Sequence, residues 1–448
     1  MNVSDSLDRI SKLPDEVLSR ILSHLPTKEA VKTSVLSKRW EYIWTSTPNL
    51  EFSDKLLLYN EIVMFKEYVH SVLSNHSGST IEKCSLLWKS GRYSDHRYAW
   101  ICAVLYCGIQ EFHLQSWMDF EDLPWCMFTS KSLVSLKIEG RFVLNLPRCV
   151  CLLNLKILHL DSVIYVDDAS AKKLFSGCPC LQELEIKRRR WDGVQILSIS
   201  IPSLKRLSIC FEYCNDRGGG HVTMIDTPNL EYLTLNDDIS EQCFVSPLST
   251  LIEARLSRKC GYQILKGIRN VRLLALCGKI MESLHAILQV NELPIFEHLA
   301  RLELGVGEYV DWRLLPNVLE SAPNLEELIF PKGLVSKSNH REYRRFYWAP
   351  PEHVPECLLF RLKTIEVQKF VGVPCEVHLM KYLLESSRFL KKATIHYCNF
   401  GKRLKMKKNF VGAKDKITNA PRASDECEIE FILMNKTTKL SFSQASAL

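Results

Sequence analysis

The sequence has no apolar run of the roughly 18 residues that a membrane-spanning helix needs. Its opening residues, MNVSDSLDRISK, lack the apolar core of a secretory leader. The usual signatures of catalysis are missing as well. There is no phosphate-cradling G-x-x-x-x-G-K-[ST] loop, no G-x-G-x-x-G after a strand, no H-E-x-x-H and no G-x-S-x-G. The glycine run Gly218–Gly220 stands alone and reads as a flexible loop. No C-x-x-C pair opens a zinc site, and the C-x-C pairs Cys149/Cys151 and Cys178/Cys180 have no partner pair at zinc-like spacing. We therefore expect no catalytic residues, no metal site, no cofactor and no membrane contact.

Cysteine itself is plentiful, at 17. The odd count and irregular spacing suit reduced thiols in the cytoplasm, the nucleus or both. The 448 residues are 46 % hydrophobic and 24 % charged, with a net charge of +7. That is enough chain for two to four domains or one long repeat array. Basic clusters fall at residues 187–190, 341–345 and 402–408. Such runs are ordinarily solvated faces, and nucleic-acid binding is the lesser reading.

Residues 13–44 read LPDEVLSRILSHLPTKEAVKTSVLSKRWEYIW. Pro14 suits a first helical turn, and Asp15 and Glu16 complement its dipole. Val17, Leu18, Ile21, Leu22 and Leu25 then recur at helical spacing. Thr27 is expected to cap a second helix, and Ser37 a third that carries Trp40, Ile43 and Trp44 on one face. So small a unit buries little surface alone. Its large apolar groups either pack on the next domain or meet another protein.

A short L-x-x-L-x-L pattern follows. Its clear copies begin at Leu133, Leu155, Leu181, Leu204, Leu230, Leu299 and Leu325. Weaker ones begin at Ile81, Ile109, Leu251, Val271, Leu362 and Leu390. The mean step is about 26 residues, inside the range of leucine-rich repeats. Each copy predicts a strand that cannot bury its own face, so stacking neighbours form one core and a curved parallel sheet. Residues 167–179 and 311–323 predict helices on the convex side. Between the N-terminal unit and the repeats, Ile62, Phe65, Val69, Val72 and Leu73 predict a linking helix.

Alternation along a strand points the leucines of each copy inward, so the third, fifth and seventh residues counted from its start line the concave face. That stripe carries seven cations (Lys83, Lys137, Lys187, Arg206, Arg255, Arg301 and Lys392) against nine anions, although the chain is positive. A nucleic-acid cradle needs a consistently basic lining. This mixed face suits a protein partner read by local charge complementarity. Lys137, His159, Glu185, Arg206, Tyr232, Arg255 and Arg301 are the candidate substrate contacts.

Three segments resemble known modules. Residues 8–52 resemble an F-box, on Leu13-Pro14-Asp15-Glu16-Val17, on Ile21 to Pro26, and on Val35 to Trp40 with Trp44. The repeats resemble leucine-rich repeats. Residues 354–359, 382–395 and 424–431 resemble the FBD region of plant-type F-box proteins. That family often has tryptophan where this chain has Val367, and its acidic run is reduced here to Glu376.

The resemblance implies an α/β architecture: a three-helix F-box (8–52), a linking helix and turn (53–80), a leucine-rich-repeat solenoid (81–350) and an FBD-like extension of the array (351–435). It implies that Leu13, Pro14, Ile21, Leu22, Leu25, Val31, Leu36 and Trp40 form or support a face for a Skp-type adaptor, and through it a cullin. Trp40 is then expected to work toward the adaptor and Trp44 to pack back on the linking helix. The implied function is a non-catalytic substrate receptor of a Skp–cullin–F-box ubiquitin ligase with an unidentified protein substrate. The alternative is a leucine-rich scaffold acting outside a ligase. The loop at 336–356, which mixes arginines with aromatics, either folds over the array or contacts a partner.

Overall fold

The structure is a computed structural model that describes residues 9–54, 59–76, 81–89, 94–188, 192–211, 221–237, 242–257, 262–288, 292–307, 312–335, 348, 350–398 and 404–434. It divides into two compact units, Met1–Thr227 and Pro228–Leu448. Both are α/β.

The first unit opens with a 3-10 turn, Ile10–Lys12, and helices α1 (Asp15–Leu22) and α2 (Thr27–Lys32). Pro14 sets up α1, which carries Asp15 and Glu16 in its first turn and Arg20 in its last. The third helical segment is not α-helical. It is a 3-10 turn, Ile43–Ser46, reached through turns after Ser37. Leu18, Leu22, Ala30, Trp40, Ile43 and Trp44 form the core of this module. The two tryptophans do not divide their labour: Trp40 is 6 % exposed and Trp44 7 %. A module this small needs both rings to fill its interior. The Trp44 indole N–H donates to the Glu41 carbonyl at 3.0 Å.

Thr27 is not a cap either; Pro26 holds that position. The Thr27 hydroxyl instead accepts the backbone N–H of Glu51 at 2.7 Å. Glu51 lies on β1 (Asn49–Ser53), the first strand of the sheet. Asn49 donates to the Ser23 carbonyl at 3.3 Å, and Ser19 to Ser46 at 2.9 Å. The N-terminal module is therefore welded to the sheet edge. Thr27→Val leaves the Glu51 N–H without its acceptor beside a residue that is 3 % exposed. The expected cost is about 1–2 kcal/mol in urea unfolding; an unchanged midpoint would remove the weld from the account.

Further strands of this unit are β2 (Lys83–Trp88), β3 (Glu111–Asp122), β4 (Ser135–Leu144), β5 (Ile157–Asp161), β6 (Ile164–Tyr165), β7 (Glu183–Arg188), β8 (Ile196–Ser200), β9 (Arg206–Phe211) and β10 (Val222–Asp226). Strands β1, β2, β3, β4, β5, β7 and β9 pair in that order, all parallel. β6 pairs with the end of β4, and β8 pairs with β10. Gly140 on β4 has φ +124°, and a Cβ there would lie 1.4 Å from the Ser116 carbonyl oxygen on β3. Only glycine permits that approach, and the β3–β4 register shifts just beyond it.

Helices α3 (Tyr59–Asn75), α4 (Ser94–Tyr106) and α5 (Asp168–Ser176) accompany these strands. Of the stripe expected on the linking helix, α3 buries Phe65, Val69 and Val72 and half-buries Leu73, while the Ile62 side chain lies outside the described residues. α5 matches the helix read at 167–179, with Asp167 as its cap, accepting the Ser170 N–H at 2.7 Å.

The second unit carries β11 (Tyr232–Asp237), β12 (Gln242–Val245), β13 (Glu253–Leu256), β14 (Leu273–Leu276), β15 (Arg301–Leu304), β16 (Glu327–Phe330), β17 (Thr364–Phe370), β18 (Lys392–Cys398) and β19 (Glu428–Met434). β11 and β13 to β19 form a second parallel ladder. Its helices are α6 (Tyr262–Gly267), α7 (Gly278–Leu288), α8 (Leu315–Glu320), α9 (Glu356–Phe360), α10 (Pro374–Ser386) and α11 (Leu404–Thr418). All thirteen motif copies lead into strands, and each first apolar position, from Ile81 to Leu390, is at most 2 % exposed. Burying these three-residue ladders between neighbouring strands and the helices is what holds each unit together.

The FBD-like segment extends the array with β17, α10, β18 and β19. Two further helices lie in it. α9 occupies the ECLLF stretch, and α11 lies in the basic run, where it buries Phe410, Ala413 and Ile417. Glu376, in the first turn of α10, is wholly buried. Its Oε2 accepts the backbone N–H groups of Val371, Gly372 and Val373 at 3.1, 2.7 and 3.1 Å. Gly372, at φ +85°, makes the tight turn that aims these donors inward.

Candidate functional site

Two surfaces present chemistry. The first lies on the N-terminal module. Helix α1 is apolar on two sides: Leu18 and Leu22 face the core, while Val17 and Ile21, one turn apart, are 41 % and 43 % exposed. Ile10, Leu25, Val35 and Leu36 are exposed too. So many large apolar groups on a module whose core is already filled mark a contact surface. Of the residues expected on the adaptor face, Ile21, Leu25, Leu36 and Pro14 are exposed, and Leu13 and Val31 are half-buried. Leu22 and Trp40 lie inside and can act only by supporting that face. Val17 and Val35, absent from the expected set, are exposed as well, and the helical spacing of Val17, Ile21 and Leu25 is the signal for the first. Arg39 ties the segments together, bonding Asp15 at 2.6 Å and the Leu13 carbonyl.

The second surface is the polar face of the strands. In the first unit, Lys137, His159 and Glu185 stand in one row across β4, β5 and β7, and Arg206 shares the neighbouring row with Glu183. These side chains are engaged with one another. His159 meets Glu183 at 2.8 Å and Glu185 at 3.6 Å, while Lys187 meets Glu185 and Lys137 meets Glu139, both at 2.6 Å. The His113 hydrogen bond, with Lys137 beside it, holds the Glu139 carboxyl at about 2, against the upward push of burial. The His159 hydrogen bond likewise lowers Glu183.

In the second unit Tyr232 and Arg301 share one row, with Glu253 and Leu273 between them. Arg255 lies in the next row, where Ala275 separates it from Glu303. Arg255 crosses the alanine to reach Glu303 at 2.9 Å, and also bonds Glu253 at 2.5 Å. Its side chain is only 14 % exposed. Arg301 closes on Glu303 from the other side at 2.9 Å. Arg255 is thus part of an internal clamp, and Tyr232 and Arg301 remain at the solvent side of the rows.

The basic clusters also change meaning. Arg188, from the run at 187–190, is 1 % exposed, pairs with Asp192 at 2.5 Å and lies over the Phe211 ring at 4.9 Å. In the loop at 336–356, residues 336–347 and 349, including Arg341, Tyr343 and Phe346, lie outside the described residues. Trp348 packs on Tyr382 of α10, ring centres 5.0 Å apart. Among the described residues no three metal-ligating side chains converge. No described helix is long and apolar enough to cross a membrane.

Comparison with known proteins agrees with this arrangement. An F-box domain model matches residues 10–52 and an FBD model residues 350–395. A model of the LRR repeats of the FBD-associated F-box protein At5g56370 matches residues 98–330. The chain is 34 % identical over 419 residues to the F-box/FBD/LRR-repeat protein At2g04230 of Arabidopsis thaliana, covering 88 % of this chain and 90 % of that one. It is 33 % identical to At5g56370 itself, also of Arabidopsis thaliana, over 95 % of this chain and all of the relative. With all three modules matched in order and such relatives spanning nearly its whole length, the chain belongs to the F-box/FBD/leucine-rich-repeat family.

Proposed function

We propose that this F-box protein is the substrate-recognition subunit of a Skp–cullin–F-box ubiquitin ligase, acting in the cytoplasm, the nucleus or both. It docks on a Skp-type adaptor through Val17, Ile21, Leu25, Val35 and Leu36, and binds a protein substrate on the polar face of its strands. It carries out no chemistry. It raises the effective concentration of a bound substrate near the ubiquitin-loading subunit. The observation that carries this reading is the exposed apolar surface on a module whose core is complete without it. The mixed charge of the strand face supports a protein substrate over a nucleic acid.

The test is adaptor binding by the full-length protein. Leu36→Asp and Ile21→Asp each place a charge in the centre of the contact. Each is expected to weaken adaptor binding by about 30-fold or more, with an unchanged circular-dichroism spectrum. A folded parent protein that binds no Skp-type adaptor would end the proposal. So would folded aspartate variants that bind as the parent does.

A further inference from the structure

The cysteines of the first unit carry an observation that adaptor docking and substrate recognition leave unused. The sulfur atoms of Cys102 and Cys126 lie 3.5 Å apart. Cys102 is on α4, and Cys126 is in the 3-10 turn Trp125–Thr129 that follows β3. Both are free thiols and both are half-buried. A small oxidant can therefore reach them. We infer that Cys102 and Cys126 form an oxidisable dithiol, a modification site that a hydroperoxide closes to a disulfide.

The frames on either side of the pair are fixed. α4 buries Trp100, Ile101 and Val104, and its Arg97 is tied to Glu121 by an ion pair. The turn is anchored by Met127 and Phe128, both at 0 % exposure. The sulfurs need to close by about 1.5 Å to reach bonding distance. Rotation of the two side chains can supply that without moving either frame. Burial, with the Cys126 sulfur beside it, pushes the Cys102 thiol up to about 12. Either sulfur can meet the oxidant first while the other resolves the product, as when Cys126 reacts first.

The steps balance. The Cys126 thiol takes one oxygen from the hydroperoxide, whose O–O bond breaks to leave an alcohol or water, and becomes a sulfenic acid. The Cys102 sulfur attacks Cys126; the S–S bond forms as the S–O bond breaks. The hydroxyl departs with the Cys102 proton as water. Two thiols are oxidised and one peroxide is reduced. The product ties α4 covalently to the connection between β3 and β4. Tyr98 and Tyr106, one turn on either side of Cys102, and Trp125 beside Cys126 are 55 %, 82 % and 63 % exposed. These exposed neighbours in sequence set the pair close to the protein surface.

The experiment uses the full chain treated with hydrogen peroxide, capped with N-ethylmaleimide and cut with chymotrypsin. Cleavage after Tyr106 separates Cys102 from Cys107. The expected product is a linked pair of peptides carrying Cys102 and Cys126, two hydrogens lighter than the parts and split by dithiothreitol. The thermal midpoint should rise on oxidation and fall back on reduction. In Cys102→Ser the reaction should stop at a Cys126 sulfenic acid that dimedone traps. Recovery of both residues as maleimide adducts, while exposed Cys107, Cys149 and Cys180 are oxidised, would overturn the inference. So would linkage of either one to a different cysteine. Should Cys102→Ser not fold, Cys126→Ser must abolish the midpoint rise, and a rise that persists in it is equally fatal.

Discussion

Replacing Glu303 with alanine is expected to destabilise the second unit by about 1.5–3 kcal/mol, a sizeable share of a domain's total stability. Glu303 is 4 % exposed and receives Arg255 on one side and Arg301 on the other, each at 2.9 Å. Removing it leaves the largely buried Arg255 guanidinium with Glu253, at 2.5 Å, and takes away the carboxylate that it reaches across Ala275. The penalty is the loss of these charge-assisted hydrogen bonds in a site mostly out of water. Arg301 contributes less, because it is nearly half exposed and water screens it. Chemical denaturation of the full chain measures the cost. A double-mutant cycle sharpens it: Arg255→Ala should cost far less in the Glu303→Ala background than in the parent. Additive losses, or a single-variant loss below about 1 kcal/mol, would show that the clamp carries no weight. Replacing Ala275 by leucine should reproduce part of the loss, because the Arg255 side chain passes over that position.

The second large effect is a pH dependence at Glu376. Burial lifts this carboxyl from 4.5 to about 7, although three backbone N–H groups pull the other way. In the folded chain the group keeps its proton over a range in which the unfolded chain has released it. Its contribution to stability is therefore full below pH 4.5 and is lost as the pH rises through about 7. The difference corresponds to about 3 kcal/mol. In Glu376→Gln the amide oxygen can still accept the three N–H groups, and nothing titrates. The stability of the parent relative to that variant should thus fall across this window and level off above it. A flat difference would mean that the carboxyl is ionised throughout and that the backbone donors outweigh burial.

The repeat core was legible because it demands three apolar side chains at fixed spacing, and Leu181, Leu184 and Ile186 announce themselves in any window. β1 was hidden by one substitution in that pattern. Its first core position is Thr47, polar yet 2 % exposed, ahead of Leu50 and Phe52. α11 was hidden by charge: Phe410, Ala413 and Ile417 recur at helical spacing, but lysines dominate the eye. Trp40, Ile43 and Trp44 are legible as one apolar stripe, but not that all three are buried or that no regular helix carries them. Burial needs only that the rings converge, and a 3-10 turn achieves that as well as an α-helix. The polar face was placed by alternation alone. Alternation says which side of the sheet Arg255 is on, but not that it reaches past Ala275 to a carboxylate two strands away. Glu376 looked like the remnant of an acidic run because its partners are backbone groups, which no side-chain pattern records.

The bond from Glu51 to Thr27 has a consequence beyond stability. The first strand of a sheet normally offers its unpaired edge as a template on which a stray strand can grow. Here helix α2 sits at that edge, the Thr27 hydroxyl occupies the Glu51 N–H, and the Asn49 side chain is turned back to Ser23. The N-terminal module is also a stopper, closing one end of the β-sheet against edge-to-edge aggregation.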